Sequence, residues 1–127
     1  MDAEGLSEIP LFEGLTDEER AAWAAHFDEV EVLTNRHMTE KGDFGYSFFV
    51  VLSGAVQVKR DGVDVARLGP GDSFGEQALL SGDRRNASVI AVERTRLAKM
   101  MIWDLNELLA TTPKLAQRIQ EIAKSRS

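Results

Sequence analysis

The sequence contains no cysteine, so neither a disulfide framework nor a thiolate metal site can form. It has only two histidines, His26 and His37, with no His-x-His pair. That is too few imidazoles for the converging ligands of a typical metalloenzyme. Long apolar runs are missing too. The longest, Phe48-Phe49-Val50-Val51-Leu52, has the size of a strand and falls far short of a membrane helix. Positive charge is scarce: 15 Lys and Arg against 21 Asp and Glu give a net charge of −6, and the pI is near 4.9. A broad nucleic-acid face needs clustered positive charge, so none is expected. The first residues, Met1-Asp2-Ala3-Glu4-Gly5, lack the basic and apolar regions of a secretory signal. The expected location is therefore the cytoplasm, away from membranes.

What is present suits one ordinary globular domain: 127 residues, 43% hydrophobic and 28% charged. Leu6, Ile9, Leu11, Phe12 and Leu15 open the chain with apolar groups. Thr16 with Glu19 then makes a capping box that predicts a helix to about Phe27, with Trp23 and Phe27 one turn apart. From Val30 to Leu97 short apolar segments alternate with turn signals at Gly42-Asp43, Ser53-Gly54, Asp61-Gly62, Gly69-Pro70-Gly71 and Ser81-Gly82. Roughly six to eight strands with such spacing predict an antiparallel sandwich or barrel. Val56 and Val58 alternate with Gln57 and Lys59, and Asp61-Gly62 before Val63 signals a tight hairpin. Asn35 is a residue that tolerates the left-handed region of a turn. His26 and His37 read as partly exposed structural residues. Asp104 is expected to begin a helix with Leu105, Leu108 and Leu109 on one side. Thr112 then caps a second helix with Pro113 at its first position. On that helix Leu115, Ile119 and Ile122 recur at helical spacing and leave Gln117, Arg118, Glu121 and Lys124 outside.

The densest chemistry lies between Gly69 and Val89. A Gly-Pro-Gly-Asp turn leads through Phe74 to Gly75 and a short helical start at Glu76, and a second turn at Ser81-Gly82-Asp83 delivers Arg84 and Arg85. The first N–H groups of such a helical start have no partners within it and attract anions. Arg offers a fork of donors to phosphate, whereas an ionised Glu only accepts. A sugar phosphate satisfies both groups. Singly, each has a plainer explanation, because Glu suits any helix start and paired arginines are usually solvated.

Taken together, Phe74-Gly75-Glu76-Gln77-Ala78-Leu79 followed by Arg85-Asn86-Ala87-Ser88-Val89 resembles the phosphate-binding cassette of the cyclic nucleotide-binding domain family. This is the family of the catabolite activator protein and the regulatory subunits of protein kinase A. The resemblance implies a mainly β fold with flanking helices: an antiparallel β-roll of jelly-roll type, an N-terminal helix and C-terminal lid helices. Residues 1–127 would form one such domain, with an N-terminal helical segment at 1–29, the roll at 30–102 with its cassette at 74–88, and lid helices at 103–127. The implied ligand-binding residues are Phe74, Gly75, Glu76, Gln77, Ala78, Arg85, Asn86 and Ala87. In these roles Glu76 accepts from the ribose 2′-hydroxyl, Arg85 holds the cyclic phosphate, and N–H groups around Gly75, Gln77 and Ala78 complete the cradle. Arg85 rather than Arg84 holds the motif position. The stretch from Lys41 to Gly54 is similar to the family's long hairpin, with Tyr46 in a place often held by Asp.

The function implied is a cyclic nucleotide sensor or regulatory module, not an enzyme, with no catalytic residue, metal ligand or cofactor. The ligand is expected to be cAMP, with cGMP the alternative. Asn86 stands where Thr or Ser often goes with cGMP and Ala with cAMP. Ligand capture would move the last helix over the purine, through Ile119, Ile122 or Arg118. The exposed face of Arg118, Glu121 and Lys124 offers a contact for a protein effector or a homodimer. Nucleic acid is not an expected partner. A transcription regulator would append a helix-turn-helix after the lid, and the sequence runs only to Ser127, so a stand-alone receptor or a piece of a larger protein is expected. The other readings are a degenerate roll that serves as an interaction scaffold and a metal-dependent, cupin-like enzyme.

Overall fold

The computed structural model describes residues 1–38, 47–76 and 87–125. Among them are seven strands: β1 Asp28–Val32, β2 Ser47–Ser53, β3 Val56–Arg60, β4 Val63–Leu68, β5 Ser73–Phe74, β6 Ala87–Ala91 and β7 Thr95–Met101. They form two sheets, one in the order β1-β7-β2-β5 and the other β4-β3-β6, with every pair antiparallel. This is the expected β-roll with flanking helices. β2 lies inside the larger sheet and is covered on both faces. Phe49 and Val51 point into the core shared with Val56, Val89 and Leu97, whereas Phe48 and Val50 point into a second core built with the helices. Burial on both faces explains why this strand reads as a continuous apolar run.

The helices are α1 Ala3–Ser7, a 3-10 turn Pro10–Phe12, α2 Asp17–His26, α3 Ile102–Thr111 and α4 Pro113–Ser125. Phe12 is the hub of their core: its ring lies 5.6 Å from that of Trp23 and 5.7 Å from that of Phe27, the latter edge-on. The capping box is present as predicted. Thr16 Oγ1 accepts from the Glu19 N–H at 3.1 Å, and Glu19 Oε1 accepts from the Thr16 N–H at 2.9 Å. The hairpin between β3 and β4 turns on Asp61 (φ 53°) and Gly62 (φ 80°), both left-handed as a two-residue turn requires. Asn35 adopts φ 73°, as its side chain allows.

One expectation needs correction. α3 begins at Ile102, two residues before Asp104, because β7 runs straight into it and Ile102 packs against the helical core. Asp104 sits in the first turn, where a carboxylate complements the helix dipole. Thr112 stands before Pro113 at the start of α4 as expected: its carbonyl accepts from the Leu115 and Ala116 N–H groups, and its hydroxyl accepts from the Trp23 indole N–H at 3.1 Å, which ties α2 to the junction of α3 and α4. His26 and His37 both lie at the surface, outside the core. His26 Nδ1 lies 3.0 Å from the Ala22 carbonyl, and the backbone of His37 bridges to Ile90.

Replacing Thr16 by Ala removes the acceptor for Glu19 N–H and is expected to lower stability by about 1 kcal/mol in urea melts. The Thr16 backbone N–H, as the largest cause, holds the Glu19 carboxyl below its ordinary value of 4.5. A group with a lowered folded pKa stabilises above its unfolded pKa and loses that effect as pH falls through the folded one. Glu19→Gln should therefore flatten the acid limb of the stability curve below pH 4.5, read by thermal melting across pH.

Candidate functional site

The approach to the site is fixed by hydrogen bonds to β2. In the turn Gly69-Pro70-Gly71-Asp72, the Asp72 N–H donates to the Gly69 carbonyl at 3.0 Å, and Asp72 Oδ2 accepts from the Gly69 N–H at 2.9 Å. The Gly71 N–H donates to the Val51 carbonyl, and the Val51 N–H to the Asp72 carbonyl, both at 2.8 Å. β5 is thereby laid against β2, and the Phe74 ring stacks on Phe49 with centroids 4.8 Å apart. The next residue explains its own identity. Gly75 has φ +96°, and a Cβ there would collide with the Ser47 carbonyl and approach Phe48 Cα to 3.2 Å. Only glycine allows this close a passage of the chain past β2.

Glu76 follows directly and is 1% exposed. It has partners within the fold, while one carboxylate oxygen, Oε2, is buried and accepts no hydrogen bond. A buried carboxylate oxygen is costly without donors, so this atom is suited to accept from a hydroxyl brought by a ligand. On the other side, β6 begins at Ala87, paired with Arg60, and continues with Ser88, paired with Lys59. Residue 76 thus leaves the edge strand of one sheet, and residue 87 begins an edge strand of the other.

Of the eight residues predicted for the site, Phe74, Gly75 and Glu76 are brought together against β2, and the backbone of Ala87 opens β6. Gln77, Ala78, Arg85 and Asn86 lie outside the described residues, as does Tyr46. Sequence reasoning missed Ser47, a buried residue whose carbonyl faces Gly75. The motif glycine signals that some backbone comes close but carries no sign of which strand supplies it.

The residues expected to cover a purine are held elsewhere. Ile119 is 1% exposed inside the helical core, and Ile122 packs against the same core. Arg118 is not on a solvated face: its Nη1 donates to the carbonyls of Leu11 at 2.8 Å and Glu13 at 2.6 Å. Among the described residues no three His, Asp or Glu side chains are grouped to hold a metal ion. Nor is any described helix long and apolar enough to cross a membrane.

Residues 25–112 match the model of the cyclic nucleotide-binding domain. The chain belongs to this family of regulatory ligand-binding domains. It is 32% identical over 122 residues to the cyclic AMP receptor protein of Thermus thermophilus, covering 92% of this chain and 56% of that protein. It is likewise 32% identical over 117 residues to a cAMP-dependent protein kinase regulatory subunit of Emericella nidulans, covering 91% of this chain and 28% of the relative. The crystal structure of the Thermus thermophilus catabolite activator protein superposes with a TM-score of 0.76 at 32% identity, over 92% of this chain and 57% of that one. The chain therefore spans between about a quarter and just over half of these relatives' lengths.

Gly71 and Gly75 are both left-handed, but a Cβ on Gly71 would meet only Pro10 Cδ at 3.6 Å. Gly71→Ala should cost about 1–2 kcal/mol for its backbone conformation. Gly75→Ala should cost more than about 3 kcal/mol, because the clash with β2 adds to the strain. Chemical denaturation of the two variants measures the difference, which equal losses would contradict.

Proposed function

We propose that this chain is a cyclic nucleotide-binding sensor or regulatory module whose preferred ligand is cAMP, acting by binding and not by catalysis. The observation that carries the reading is the buried Glu76 carboxylate, placed directly after the Gly75 passage in a chain of this family. In this proposal Glu76 accepts from the ribose 2′-hydroxyl, Arg85 pairs with the cyclic phosphate, and the N–H groups near Gly75, Gln77 and Ala78 complete the cradle, with Phe74, Asn86 and Ala87 lining it. The whole of 1–127 acts as one cytoplasmic module with its cassette at 74–88, and α4 moves to cover the purine. The preference for cAMP draws support from the names of the two relatives, each described by cyclic AMP. A protein effector receives the signal, with α4 the element that changes.

Magnitudes make the proposal measurable. A ligand of about 22 heavy atoms at about 0.3 kcal/mol each binds with roughly −7 kcal/mol, a Kd near 10 µM. Removing one partner of a buried, hydrogen-bonded charge pair costs about 2–5 kcal/mol. Calorimetric titration with cAMP, cGMP and 5′-AMP should give low-micromolar binding of cAMP, weaker binding of cGMP and none of the non-cyclic control. Arg85→Ala should weaken cAMP binding by about 30-fold or more. Preference for cGMP would reassign Asn86 as a guanine acceptor. Absence of binding by either cyclic nucleotide would make the roll an interaction scaffold.

A further inference from the structure

We propose that Arg118 is a latch that holds α4 in a docked position incompatible with covering a ligand, and so sets the affinity of the site. The proposal rests on the ligand-binding function above. Arg118 and Lys114 lie one turn apart on α4, and both reach across to backbone carbonyls where the 3-10 turn ends. Arg118 Nη1 takes the carbonyls of Leu11 and Glu13, and Lys114 Nζ takes that of Gly14 at 2.8 Å. Carbonyls at the end of a helical turn have no partners within it, which makes them good acceptors for a cation. Between the two cations, Leu115 is fully buried in the helical core, and Ile119, one position past Arg118, is 1% exposed.

The start of α4 is anchored differently. Thr112 breaks the helix with φ −130° and ψ 73°, and its hydroxyl is held by the Trp23 indole. Its carbonyl accepts from the N–H groups of Leu115 and Ala116, which starts the new helix. α4 therefore has a fixed pivot at Thr112 and a separate tie that runs from Lys114, about half a turn along, to Arg118, nearly two turns along. While the tie is closed, Ile119 faces the core and cannot meet a nucleotide. Docking of α4 and ligand cover by Ile119 exclude each other. A protein held mostly in the incompetent state shows an affinity reduced by the competent fraction. Loosening the latch then raises apparent affinity while lowering stability, opposite signs that a purely structural role would not produce.

The test uses the full chain as wild type, Arg118→Ala and Arg118→Lys, with hydrogen exchange of the ligand-free proteins and calorimetric titration with cAMP. In Arg118→Ala, amides of residues 114–125 should exchange about tenfold faster with β2 and β7 unchanged, and the Kd for cAMP should fall about three- to tenfold. Arg118→Lys should lie between. Unchanged exchange in α4 would overturn the latch, and faster exchange with equal or weaker cAMP binding would overturn its opposition to ligand. If wild type binds neither cyclic nucleotide, the proposed function fails and the opposition to ligand with it, while the ligand-free exchange still decides whether Arg118 holds α4. Should Arg118→Ala not fold, Lys114→Ala removes the Gly14 contact, together with a positive charge near Glu19, and is read in the same way, with smaller shifts expected.

Discussion

Everything in this molecule is registered against a strand that cannot register itself. β2 is apolar on both faces, with Phe48 and Val50 in one core and Phe49 and Val51 in the other. A slip by one residue would exchange the two sets, yet put apolar side chains into apolar surroundings on each side. An alternating strand with one wet face is pinned by its own pattern, and this one is not. Burying each of these side chains contributes about 1.5–3 kcal/mol, but that energy does little to choose between registers. The choice falls to backbone contacts: the bonds of Val51 with Gly71 and Asp72, the irregularity between Val51 and Ser53, and the passage of Gly75 over Ser47. The last of these is also the base of the candidate site. Fold and site thus share one constraint, and Glu76 takes its position from the strand that needs Gly75 to hold register.

What could be read from the sequence follows from the distance over which each feature is determined. The capping box of Thr16 and Glu19, the Asp61-Gly62 hairpin, the left-handed Asn35 and the proline at the start of α4 depend on a few neighbouring residues, and each is present. Features decided across the fold were harder to read. The start of α3 depends on Ile102 finding the helical core, which outweighs the cue that Asp104 supplies. Arg118 falls on the polar side of its helix by spacing, but what it meets is a turn more than a hundred residues earlier. For the site, Phe74, Gly75 and Glu76 were legible because their order is a motif, whereas Ser47 has no local mark.

Surface charge has a limited part in either stability or ligand capture. The ion pairs Arg94 with Glu31, Arg96 with Glu29, Arg67 with Glu93 and Lys59 with Asp64 are substantially exposed, and in the further pair of Arg20 with Asp17 the carboxylate is exposed. Such pairs contribute about 0–1 kcal/mol each. A net charge of −6 is by itself an unfavourable setting for an anionic ligand. At physiological salt, however, exposed charges more than about 8 Å away are largely screened. A phosphate responds to the donors that touch it, so an acidic protein can hold one with a single well-placed guanidinium and a few amides.

The same magnitudes limit how far a ligand could displace α4. Two hydrogen bonds from Arg118 and one from Lys114 involve a charged donor, but the contacts with Glu13 and Gly14 are exposed to solvent, so each is worth about 1 kcal/mol. Exposing Leu115 and Ile119 would cost about 2 kcal/mol apiece in addition. Full release of the helix would therefore consume about all of the roughly 7 kcal/mol that a small nucleotide supplies in total. A swing about Thr112 is less costly. Close to the pivot Leu115 moves little and stays buried, while the tie at Arg118 opens and Ile119, a turn further out, leaves the core. In that geometry breaking the latch is the main cost the ligand must overcome, and a new contact between Ile119 and the purine offsets part of it. Arg118, rather than the apolar stripe as a whole, is then the residue through which affinity can be tuned.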